Sequence, residues 1–126
     1  MEMVLYNTRT KPMSDWKLFL DDLRFPAVED EQTVICRTSL EALAEIELRG
    51  CPVEMMLDHD LGEGDDVSKI FYNGFEAMLL DGKTSLPKEF TFTVHSMNPV
   101  GSRYLEGKLA SLVDEMRRRE VDIPYP

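Results

Sequence analysis

Three short strand-like runs in this chain each stop abruptly at acid or imidazole. Leu18-Phe19-Leu20 runs into Asp21-Asp22. Val53 to Leu57, interrupted only by Glu54, runs into Asp58-His59-Asp60. Phe90 to Val94, aromatic and β-branched, runs into His95-Ser96. Runs this short, bounded by polar punctuation, suit strands rather than helices. A fourth, Thr33 to Arg37, has the same character without the acids.

Helical patterns separate the runs. Thr38-Ser39-Leu40-Glu41 has the spacing of a capping box, a hydroxyl at the N-cap and a carboxylate three residues on. Leu40, Leu43, Ala44 and Leu48 then mark one expected buried face, and Gly50 falls where a C-terminal glycine belongs. Val67, Ile70, Phe71, Gly74, Phe75, Met78 and Leu79 form a second stripe, closed by Gly82. Pro99 suits the first turn of a third helix with Asn98 as its N-cap, and Leu105, Leu109, Leu112, Val113 and Met116 give its stripe. Arg117 to Arg119 are expected in its last turn, where cations favour the helix dipole. Strands alternating with helices predict βα units: a three-layer α/β fold, four mostly parallel strands in the order 2-1-3-4, helices on both faces, and no fifth strand. Residues 1–16 read as an N-terminal extension, loop or edge strand, ahead of a single domain over 17–126. Leu23 to Gln32, with Arg24, Pro26 and three acids, reads as a loop, and Glu63 to Asp66 as an acidic one.

Composition narrows the partners. Twenty-four Asp and Glu against 14 Lys and Arg give a formal charge of -10 in 126 residues. Such a surface repels polyanions, which argues against non-specific DNA binding and leaves a small anionic ligand only where the charge is locally neutralised. Cys36 and Cys51 lack metal-site spacing and are expected as reduced core residues. With no basic start, no long apolar stretch and no candidate membrane span, the expectation is a cytoplasmic protein.

In a parallel sheet the ends of all strands meet at one edge, where α/β proteins bind ligands. Asp21, Asp22, Asp58, His59, Asp60, His95 and Ser96 therefore share a candidate site that holds both histidines of the chain. Two carboxylates 4 Å apart repel by about 4 kcal/mol at an effective dielectric near 20, so crowding of this kind asks for a cation or a shared proton. Mg²⁺ or Mn²⁺ on Asp21, Asp22, Asp58 and Asp60 is one answer, and Arg24, Arg37 or a protonated histidine is the other. Free N–H groups at the start of the helix after Asn98 add a seat for phosphate.

The acid pair, the strand-end Asp58 and Ser96 after the next strand resemble a response-regulator receiver domain. More closely they resemble a receiver-like family that processes cyclic phosphates. The resemblance lies in Leu18-Phe19-Leu20-Asp21-Asp22-Leu23-Arg24-Phe25-Pro26, in Arg37-Thr38, in Leu57-Asp58-His59-Asp60-Leu61-Gly62 and in His95-Ser96-Met97-Asn98-Pro99-Val100-Gly101. It implies the substrate class: a cyclic phosphate, on an RNA end or a small nucleotide. In that reading His59 and His95 are the acid and base, with Asp58 beside them, and Arg24, Arg37, Ser96 and Asn98 hold the substrate. A receiver that accepts a phosphoryl group carries a lysine after a fifth strand, whereas Glu120 to Pro126 is short and has none. The first helix of a receiver is replaced by the loop after Asp22. Two other readings stand beside the enzyme: a non-catalytic receiver-like module that binds a protein or nucleotide, and a phosphoacceptor receiver with Asp58 as acceptor.

Overall fold

A computed structural model describes residues 15–27, 30–62 and 64–122, with residues 121 and 122 described by backbone alone. The expectations for residues 1–14 and for Glu63 lie outside the described residues. Four strands, β1 (Lys17–Leu20), β2 (Thr33–Cys36), β3 (Glu54–Asp58) and β4 (Thr91–His95), pair in parallel as β2-β1-β3-β4. Three helices, α1 (Ser39–Arg49), α2 (Ile70–Leu80) and α3 (Pro99–Asp122), complete the βα alternation that the sequence predicts.

The sheet is short but densely covered. Leu18, Leu20, Met55 and Leu57 are fully buried, packed with Phe71 and Phe75 of α2 and Leu105 and Leu109 of α3. Trp16, placed ahead of the domain by the sequence reading, is also fully buried, and its indole N–H donates to the Gly50 carbonyl (3.0 Å). Cys36 and Cys51 are free thiols, and burial pushes both up to about 12, so neither is a nucleophile at neutral pH.

Local signals fix the helix starts. Thr38 Oγ1 accepts the Glu41 N–H, and Glu41 Oε1 accepts that of Arg37. Gly50 ends α1 at φ 88°, a backbone open to glycine at no steric cost. Asn98 Oδ1 accepts the Gly101 N–H at the start of α3.

Three expectations need correction. The buried residues of α1 are Ser39, Ala42 and Ile46, while Leu40 and Leu48 stand 70% and 61% exposed. The helix is turned by a long-range contact: Ser39 donates both its N–H and its hydroxyl to Asp65 of the acidic loop. Next, α2 begins at Ile70, which is itself exposed; Val67 is buried in the preceding turn, where Asp66 caps Ser68. Finally, α3 runs on to Asp122, so Arg117 is not in its last turn. Its guanidinium instead donates to the Pro87 and Lys88 carbonyls, pinning the loop that leads into β4.

Candidate active site

Register aligns the site. Leu20 pairs with Leu57, and Asp58 pairs with His95, so Asp21, Asp58 and His95 fall at one level across β1, β3 and β4. Equal register in adjacent parallel strands sends side chains to the same face. The result is a row at the carboxyl edge of the sheet. Carboxylate oxygens of Asp21, Asp22 and Asp58 all lie within 4.8 Å of one another. His95 reaches over β3 to place Nε2 3.0 Å from Asp21 Oδ2, and its ring stacks on Phe19 at 5.6 Å between centroids.

The two buried acids are treated differently. Burial disfavours the charge of Asp21, but the N–H groups of Arg24 and Leu23, together with His95, more than offset it and hold the carboxyl below the ordinary value. Asp58 is raised: its burial and the charge of Asp21 outweigh one N–H bond from Asp60. The row therefore combines one carboxylate built to stay ionised with one that resists ionisation. That is the electrostatic condition in which a divalent cation or a proton is held.

Asp60 and His59 form a second group. Asp60 is outside the set of acids that approach one another within 4.8 Å. It accepts from the Ser96 hydroxyl (2.6 Å) and lies 3.1 Å from His59 Nδ1. Ser96 Oγ in turn accepts the Asn98 N–H. The four residues Asp60, His59, Ser96 and Asn98 thus tie the loop after β3 to the start of α3. His59 also lines a cleft of about 590 Å³ with Leu61, Gly62, Asp65, Lys69 and Ile70. The cleft adjoins the acid row through Gly62, whose missing Cβ would lie 3.8 Å from Asp22 Oδ2.

The arginines separate as well. Arg37 donates to the carbonyls of Asp21 and Arg24 and lies 4.8 Å over the Phe25 ring, so it braces the β1 loop from behind. Arg24 has a half-exposed side chain with Nε 3.9 Å from Asp21 Oδ2. It is the more available cation. The structural partners Asp65 and Gly101 carried no strong signal in the sequence; an acidic loop and a helical glycine are common.

A four-stranded parallel sheet of order 2-1-3-4, with an acid row at its carboxyl edge, defines a receiver-like α/β domain. The family model described as the cyclic-phosphate processing Receiver domain matches residues 16–111, and the chain belongs to that family. Neither a curated protein nor a solved structure matches the chain at a significant level. Among the described residues no helix is long and apolar enough to cross a membrane.

Proposed function

We propose that the chain is a phosphoesterase that opens a cyclic phosphate by histidine and aspartate acid–base chemistry. The observation that carries this reading is the row itself, with His95 hydrogen-bonded to Asp21 beside Asp58 and Asp22. Water adds to phosphorus, one ester P–O bond breaks, and the departing ribose oxygen takes up a proton. One imidazole draws the proton from the water and the other delivers one to the leaving oxygen. Each ring is oriented by its own aspartate, His95 by Asp21 and His59 by Asp60. Arg24 offers charge to the phosphate, and the cleft beside His59 has room for the rest of a nucleotide.

Asp21, Asp22 and Asp58 fit a hard divalent ion, Mg²⁺ or Mn²⁺, because three carboxylates supply the oxygen donors such an ion takes. When bound it would neutralise the acids and polarise a phosphoryl oxygen. Asp60 lies outside that group of three and meets Ser96 and His59 instead, so in this reading it positions an imidazole and does not ligate. The substrate is an RNA end or a small cyclic nucleotide. Phosphorus NMR on a panel of both, with and without Mg²⁺, tests the reading: it expects at least one cyclic phosphate to be opened, and no turnover across the panel rejects it.

One observation favours a binding module instead. Leu23, Met97 and Val100, on the loops that follow β1 and β4 and in the first turn of α3, are 79%, 87% and 76% exposed. Apolar side chains that open to water beside a polar site suit a partner surface. Wild-type protein that binds a cyclic nucleotide without opening it is the outcome that selects this second reading.

A further inference from the structure

We infer that Gly101 is a positioning residue for His59, its bare Cα forming the seat on which the imidazole rests. Gly101 is not required by backbone geometry, since it is not among the glycines with positive φ. Glycine in a helix is otherwise a poor choice, weaker than alanine by about 1 kcal/mol in an interior position. What demands it is space. A Cβ at this position would lie 2.4 Å from His59 Cε1, 2.8 Å from Nδ1 and 2.9 Å from Nε2, approaches that no carbon tolerates.

The seat closes a circuit. His59 Nδ1 meets Asp60, Asp60 accepts from Ser96, Ser96 Oγ accepts the Asn98 N–H, and Asn98 Oδ1 accepts the Gly101 N–H. Gly101 returns the chain of contacts to the His59 ring. Asn98 thus fixes the helix turn that carries the seat, and Asp60 fixes the ring nitrogen on the other side. A methyl group at 101 displaces the ring from both. Gly107, in the same helix, has nothing within 4 Å of its missing Cβ and serves as the internal control.

The inference rests on the reading of His59 as an acid–base group for its catalytic consequence, but not for its geometry. The experiment therefore has two arms. In the first, long-range ¹⁵N NMR of the imidazoles is recorded for wild type, Gly101→Ala and Gly107→Ala. Gly101→Ala is expected to move the His59 nitrogen resonances and leave those of His95, while Gly107→Ala moves neither. Wild type alone should show a nuclear Overhauser contact between the Gly101 α-protons and the His59 ring, a readout that needs no variant to fold. Absence of that contact, or unshifted His59 resonances in a folded Gly101→Ala, overturns the inference. In the second arm, Gly101→Ala should lower kcat for a cyclic phosphate on the order of 10²-fold with KM little changed, as misplacement of a reacting group by an ångström does, and Gly107→Ala should match wild type. An unaltered kcat in Gly101→Ala overturns the positioning role. If the first arm succeeds and no protein turns over any cyclic phosphate, the phosphoesterase reading fails while the seat stands.

Discussion

His95 Nε2 stands 3.0 Å from Asp21 Oδ2, a bond that reaches across the full width of β3 from one neighbouring strand to the other. Asp21 Oδ1 meanwhile accepts the N–H groups of Leu23 and Arg24, so a single buried carboxylate fixes both the β1 loop and an imidazole. Because its folded-state value is lowered, Asp21 contributes stability above its unfolded value near 3.8, and the contribution is lost as pH falls through the folded value. Asp21→Ala is expected to cost about 1–3 kcal/mol near neutrality, the usual penalty for orphaned buried partners. The difference from wild type should shrink in acid. Urea melts at neutral pH and at pH 3 check it, and an equal loss at both would contradict the assignment.

Asp58 carries the opposite sign. Its folded value is raised, so its favourable contribution is present below the unfolded value near 3.8 and is lost as pH rises through the folded value. Ionised Asp58 is a burden at neutral pH. Asp58→Asn should stabilise the metal-free protein, because it removes a charge that burial and the neighbouring Asp21 both disfavour. Millimolar Mg²⁺ should raise the melting temperature of wild type by mass action on the folded state and have little effect on Asp58→Asn. Identical responses of the two proteins to Mg²⁺ would remove Asp58 from the proposed metal site.

The contact of Ser39 with Asp65 anchors α1 to the loop beside the cleft. Asp65 accepts both the N–H and the hydroxyl of a fully buried serine. Asp65→Ala should lower the unfolding free energy by about 1–3 kcal/mol through the unsatisfied donors. Asp65→Asn, which keeps an acceptor, should recover part of it. Thermal melts of the two variants decide the point, and an Asp65→Ala protein as stable as wild type refutes it.

Much of the site was legible because strand ends are local. A hydrophobic run that stops at Leu20 or Leu57 places the next residue at the sheet edge whatever the rest of the chain does, and parallel pairing then brings Asp21 and Asp58 together. The roles within the site were less legible, since they depend on which partner each side chain finds. Arg37 could reach a phosphate or a carbonyl, and only the path of the β1 loop directs it to the carbonyls of Asp21 and Arg24. The face of α1 departs from its hydrophobic pattern for the same reason: Leu40 and Leu48 outrank Ser39 in hydrophobicity, yet a carboxylate 26 residues away holds the serine inward. The seat of His59 on Gly101 left one faint trace, a glycine in the first turn of a helix with no backbone need for it.

The histidines test the account most directly. The measurement is the kcat for a cyclic phosphate opened by wild type, in His59→Ala, His95→Ala and the double variant, across pH. General acid–base catalysis predicts a bell-shaped profile for wild type and a loss of about 10²–10⁴-fold in each single variant. The double variant should lose little more than either single, because groups that act as a unit are not additive. All three variants should fold, since both residues sit at strand ends and not in the core behind them. Full hydrolytic activity in the double variant would contradict the account and leave Asp21, Asp22 and Asp58 as the only chemistry at the edge of the sheet.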